Sequence, residues 1–222
     1  MGLKHFPKNK KDLESIIFDK IQEELIKSPK IIKPNFSDID TSEITDMRGL
    51  FNRSLATLSN SLYFNDKEVI IDIHTWDMSN VTDMSYMFNG CTPITEINMS
   101  NSTTSNVEKM ECIFGKCTNL KKLTLNGLNT SNVTTMERMF EECSLLRTLD
   151  LSSFDTSNVE KMNCMFAECS ELTFLDLSNF DTSNVNDMVS MFAVCRSLTS
   201  LDLSNFDTSN VINMSCMFYY CE

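Results

Sequence analysis

Glycine, histidine and basic charge are what this 222-residue chain has least of. It holds five glycines, two histidines and one tryptophan. So few glycines argue against a glycine-rich loop cradling phosphate, and there is neither a G-x-S-x-G elbow nor a histidine paired with a nucleophile. The chain is therefore read as noncatalytic, with no catalytic residue and no cofactor. His5 and His74 stand apart without ligand spacing, which leaves no metal site in the pattern. No run of 18 apolar residues occurs, so no transmembrane segment is expected. Lysine and arginine number 19 against 31 acids, a net charge of −12. That balance opposes attraction to a phosphate backbone or to anionic lipid. The longest basic run, Lys8-Asn9-Lys10-Lys11, is too short to reverse it, and nucleic acid is excluded as a partner.

The first residues, Met1 to Lys8, are polar and contain no apolar signal core, cleavage site or early cysteine. Gly2 is followed by Phe6 where myristoylation calls for serine or threonine. No signal peptide is read here, so the expectation is a cytoplasmic chain or a trimmed form of an exported one.

What the chain has in abundance is repetition. Cys91, Cys117, Cys143, Cys169, Cys195 and Cys221 are spaced by 26 residues without a slip, and each closes the phrase M-x-x-[MI]-F-x-x-C. A fixed period of this length means units that cannot bury their apolar faces alone and must stack on one another. Within a unit, Leu175 and Leu177 alternate with Asp176 as in a short strand. Asn179-Phe180-Asp181-Thr182-Ser183-Asn184 is a polar corner. Val185, Met188, Met191, Phe192 and Cys195 then follow at spacings of three, three, one and three, which predicts a short helix capped by Ser183 or Asn184. The expected coil is strand, turn, short helix and loop, with successive strands pairing in parallel.

Three regions follow. Residues 1–40 form an N-terminal cap with an amphipathic helix over Lys11 to Lys27, where Leu13, Ile16, Ile17, Ile21 and Leu25 share one face. Ile31-Ile32 is a short strand. Residues 41–67 are a degenerate first repeat with an insertion at Asn52 to Asp66. Residues 68–222 are six 26-residue repeats with no evident C-terminal cap. Because Cys221-Glu222 stands where a next strand would begin, three alternatives stay open: a fragment of a longer array, end-to-end self-association through the C-terminal coil, or a partner that covers the edge.

The phrase L-D-L-S-N-F-D-T-S-N-V-x-x-M-x-x-M-F-x-x-C resembles the repeat of the BspA-like leucine-rich-repeat surface proteins, above all the subgroup first catalogued as mycoplasma lipoproteins of unknown function. Asp40-Thr41-Ser42 through Asp46-Met47 is similar to that subgroup's start of the array. The resemblance implies a leucine-rich-repeat-like right-handed solenoid of α/β class. It also implies a bacterial or acquired gene and a surface-exposed or secreted adhesin. It brings no catalytic motif.

Nine cysteines cannot all pair internally. The cysteine column admits a disulfide ladder, metal binding or redox sensing, but a small apolar residue filling one slot behind phenylalanine fits six identical positions better. Cys112, Cys164 and Cys216 lie five residues before a ladder cysteine, on predicted helix, where that spacing turns the two thiols apart. Asn80, Asn106, Asn132, Asn158, Asn184 and Asn210 are expected to form a structural amide ladder or to cap the helices. Asp77, Asp155, Asp181 and Asp207 are expected in Asx-turns. Asp72, Asp150, Asp176 and Asp202 are expected mid-strand and outward. With Thr124, Arg147, Thr173 and Ser200 they make the candidate binding face, suited to a basic or polyvalent protein or other macromolecule. Two functions are expected from this: a microbial surface or secreted adhesion protein, or an intracellular scaffold or effector of the same fold with reduced cysteines.

Overall fold

The computed structural model describes residues 4–28, 30–52, 55 and 67–221; the insertion expected at 52–66 lies almost wholly outside them. Helix α1 (Lys10–Lys27) opens the chain. Asn9 caps it, its side-chain oxygen accepting the N–H of Asp12 at 3.0 Å. Leu13, Ile17 and Ile21, spaced by four, are fully buried against the start of the array, and Lys20 ties the helix to Asp38 at 2.8 Å. Four parallel strands follow in the order β1 (Ile31–Ile32), β2 (Glu68–Asp72), β3 (Ile94–Asn98) and β4 (Lys122–Thr124). The register sets Ile71 against Ile97 and Ile97 against Leu123, residues 26 apart.

Two expectations fail here. The short helix of each of the six 26-residue repeats is absent, and Val185–Cys195 is a chain of turns. Alternate residues bond within the turn, Met191 N–H to Met188 O at 3.2 Å and Cys195 N–H to Phe192 O at 3.2 Å. The residues between them bond to the following repeat: Met188 to Asn213, Ser190 to Ser215, Phe192 to Met217 and Val194 to Tyr219, at 2.7–2.9 Å. A helix would aim every N–H along its own axis and leave none for a neighbour. Two residues per repeat, such as Ser190 (φ 53°) and Val194 (φ 63°), adopt the left-handed conformation that makes the alternation possible. Each costs on the order of 1–2 kcal/mol for a non-glycine residue, offset by the bonds it frees. The apolar spacing of three, three, one and three does report burial, but it is met by consecutive three-residue turns.

The second failure concerns the strands. Beyond β4 the expected strands at Leu149–Leu151, Leu175–Leu177 and Leu201–Leu203 are not formed, and one bridge, Thr148 to Phe174, remains. The aspartate of each L-D-L turns its carboxylate to the N–H two residues on: Asp150 to Ser152, Asp176 to Ser178, Asp202 to Ser204, at 2.9–3.0 Å. These acids therefore start turns and do not sit mid-strand.

The core is a set of columns. Phe88, Phe114, Phe140, Phe166, Phe192 and Phe218 stack with centroids 5.6–5.7 Å apart and planes within 11°, in the offset range that aromatic pairs favour. Met84 and Met87 and their equivalents fill in beside them at zero exposure through Met191. At the opening of the array Trp76 packs on Phe36 and Phe51 and donates its indole N–H to the carbonyl of Phe36 at 3.2 Å.

A buried threonine column holds the corners. Thr156 Oγ1 donates to Asp181 O at 2.8 Å and accepts the N–H of the same residue at 2.9 Å; Thr130 does the same to Asp155 and Thr182 to Asp207. Replacing Thr156 by valine keeps the shape and removes both bonds. The expected loss is about 1–3 kcal/mol in urea unfolding, with serine recovering most of it; a valine variant as stable as the parent would contradict this role.

Candidate functional site

The eight residues expected on the binding face fall along one side of the array. Asp72 closes β2 and stands in register with Asn98, which stands in register with Thr124 at the end of β4. Asn98 Nδ2 donates to Asp72 Oδ1 at 3.0 Å, and His74 Nδ1 approaches the same oxygen at 2.6 Å. Further along, the carbonyl of Arg147 accepts from both the N–H and the hydroxyl of Thr173, at 3.2 and 3.3 Å. Asp176, Ser200 and Asp202 then line one open groove with Phe174, Leu201 and Asn205. Asp150 and Asp176 line an adjoining groove with Phe174 and Asn179.

Charge on this face is divided. Glu68 pairs with Lys121 at 3.6 Å, Glu96 with Lys122 at 2.5 Å and Arg147 with Glu171 at 3.3 Å. Asp72 has His74. Asp150, Asp176 and Asp202 have no ion-pair partner among the described residues. One oxygen of each is engaged by its own turn, and all three residues are exposed. Ser152 donates its side chain and then its N–H to Asp150 and holds that carboxyl below its ordinary range. The N–H and hydroxyl of Ser178 and Ser204 do the same to Asp176 and Asp202. For Asp72 burial is the largest influence and pushes upward, but the side-chain and backbone bonds from His74, with the charges of His74 and Lys33, together bring the carboxyl below its ordinary value. The corner acids are held alike: Asp155, Asp181 and Asp207 accept from Ser157, Ser183 and Ser209 at 2.8–3.0 Å, and their carboxyls are lowered by those same serines.

Phe174 was missed. It is 63% exposed and lines both grooves, at the outward position where the other repeats carry Ile70, Glu96, Lys122, Thr148 and Ser200. The alternation that turns Leu175 and Leu177 inward already turns Phe174 outward beside Asp176, so the signal was present.

The asparagine and cysteine columns lie elsewhere. Asn80 Nδ2 donates to Ser42 O, and Asn106, Asn132, Asn158, Asn184 and Asn210 donate to the carbonyls of Ser79, Ser105, Ser131, Ser157 and Ser183, at 2.6–2.8 Å. Each amide thus binds the backbone of the preceding unit, and amide does not bind amide. Each thiol from Cys117 to Cys221 donates to a phenylalanine carbonyl 29 residues back, at 3.0–3.2 Å. Cys91, Cys117, Cys143, Cys169 and Cys195 are buried. Burial pushes the thiols of Cys117 and Cys195 up to about 12 and those of Cys91, Cys143 and Cys169 well above their ordinary value. Cys112, Cys164 and Cys216 take the left-handed position of their repeats (φ 51–59°), and Cys216 is exposed. Among the described residues no group of three His, Cys, Asp or Glu is placed to hold a metal ion, and no helix is long and apolar enough to cross a membrane.

A family model described as Mycoplasma protein of unknown function, DUF285, matches residues 19–145, 56–173 and 145–222. No curated protein and no solved structure matches the chain.

Two outcomes follow from the geometry. At neutral pH an aromatic disulfide reagent should modify Cys216 in the folded protein, while Cys91, Cys117, Cys143, Cys169 and Cys195 should react only after denaturation; rapid native labelling of that column would contradict the burial. Carboxyls lowered by folding stabilise the fold above the unfolded value near pH 4 and lose that contribution as pH falls through the lower folded values. The melting temperature should therefore be level from pH 7 to about pH 5 and drop by pH 3; a rise on acidification would contradict the serine bonds.

Proposed function

This chain belongs to the family described as Mycoplasma protein of unknown function, DUF285, a bacterial family, and we propose that it is a noncatalytic macromolecule-binding module. The fold we propose for it is a leucine-rich-repeat-like right-handed solenoid capped by α1, and the surface it uses is the face of Asp72, Asp150, Asp176 and Asp202. The observation that carries this reading is the uneven pairing of charge. Six charged residues of the face, Glu68, Glu96, Lys121, Lys122, Arg147 and Glu171, are matched within it, and Asp72 is hydrogen-bonded by Asn98 and His74. Three consecutive repeats leave carboxylates unmatched beside an exposed Phe174. Stacked like charges repel unless a cation or basic partner meets them, and an extended repeat face is the usual contact surface of such proteins. A surface or secreted adhesion protein is the form the repeat resemblance favours.

An intracellular scaffold or effector is the second reading. The thiol column favours it, because each S–H from Cys117 to Cys221 is already spent on a phenylalanine carbonyl, an arrangement suited to a reducing compartment.

Binding to polylysine-coated and polyglutamate-coated sensors tests the face. The Asp150→Asn, Asp176→Asn, Asp202→Asn triple variant keeps the turns, since asparagine already occupies position 98 of the same column, and removes only charge. The corner triple Asp155→Asn, Asp181→Asn, Asp207→Asn changes net charge equally. The expected result is polylysine binding that the corner triple keeps and the face triple loses; equal binding by both would overturn the assignment of the face.

A further inference from the structure

The grooves of this face have walls of unpaired backbone. Through β2, β3 and β4 neighbouring repeats are joined by parallel strand pairing. Between residues 174–178 and 200–204 no backbone hydrogen bond runs, and the N–H groups of Leu175 and Leu177 on one wall and of Asp202 on the other have no acceptor among the described residues. Side chain alone bridges the gap: Asn205 Nδ2 donates to the carbonyls of Leu177 and Phe180 at 2.9 and 2.8 Å. The turn side of the same two repeats stays fully bonded, Met188 to Asn213 through Val194 to Tyr219. The two units are thus closed on one side and parted on the other, and the parted side is the groove of Phe174, Asp176, Ser200 and Asp202.

Backbone N–H groups are obligatory donors, and a row of them on a strand-like wall is what an extended chain pairs with. Leu175 and Leu177 are nearly sealed, 4% and 1% exposed, so the apolar side of that wall is already spoken for. Phe174 and Asp176 lie two residues apart and project from the same side, the period at which alternate side chains of an extended chain recur. Asp202 faces the same groove from the other wall. Resting on the reading of this face as a binding surface, we propose that the groove between residues 174–178 and 200–204 receives an extended peptide with lysine or arginine at alternate positions. The peptide backbone pairs with the free N–H groups of the wall. One cation sits between Asp176 and Asp202, and the alkyl stem of the next lies on Phe174.

The test uses the full chain and a fluorescent nonapeptide of alternating lysine and threonine, at physiological salt. A second peptide carries the same side chains but is N-methylated at every other amide, which keeps its charge and blocks strand pairing. The expected result is saturable binding that weakens at least about tenfold on N-methylation and comparably for Phe174→Ser, an exposed position where the fold is not at stake. Equal binding of both peptides would overturn the inference, because charge alone would account for it. No saturable binding of either peptide, with polylysine binding still lost in the face triple variant, would overturn this occupant and leave the binding face standing. Peptide binding unchanged in the face triple would overturn both.

Discussion

One hydrogen bond, repeated, holds this structure: an N–H in one repeat donating to a carbonyl 25 residues later in the next. On the turn side it recurs four times between successive repeats, as Met162 to Asp187, Cys164 to Val189, Phe166 to Met191 and Glu168 to Ala193. A fifth bond runs the other way, from Asn186 to Glu160. Each is an ordinary backbone bond worth about 1 kcal/mol net, so the array is stable because the bonds are many and in register. The register demands that every second N–H point along the array, which is why Cys164 and Glu168 stand at φ 55° and 62°. The phenylalanine stack, the thiols on phenylalanine carbonyls and the threonines at the corners all follow from holding units at that fixed offset.

This constraint explains what could be read from the residues and what could not. Burial was legible. Val185, Met188, Met191, Phe192 and Cys195 were expected inside and are inside, because apolar spacing reports which side chains face a core. Backbone direction was not legible, since three consecutive turns and two and a half helical turns bury the same residues. One left-handed column carries Tyr86, Cys112, Arg138, Cys164, Ser190 and Cys216 and the other Gly90, Lys116, Glu142, Glu168, Val194 and Tyr220, and no residue type common to either announces it. Helix α1 was readable almost to its ends, expected from Lys11 and found from Lys10, because a polar cap, a four-residue apolar rhythm and Pro29 agree there. The aspartates of L-D-L were misplaced for a local reason: an alternation that reads as strand is equally served by a carboxylate folding onto the serine N–H two residues on.

The candidate site depends on the same asymmetry. Repeats fastened along the turn side can part along the other, and they do so after β4, where strand pairing gives way to a single bridge. The grooves lie in that parted region, and the unmatched carboxylates and Phe174 lie in the grooves. Serine bonds keep those carboxylates charged and aimed, so the face is preorganised without any help from a regular sheet. The columns of cysteine, asparagine and threonine have their polar atoms committed to neighbouring backbone.

Through-hydrogen-bond scalar coupling in a nitrogen- and carbon-labelled sample measures the founding bond directly. The amide nitrogen of Cys164 should couple to the carbonyl carbon of Val189 in the next repeat, and Phe166 to Met191. Coupling of Cys164 to the carbonyl of Glu160, four residues before it, would mean a helix in each repeat and would contradict the account.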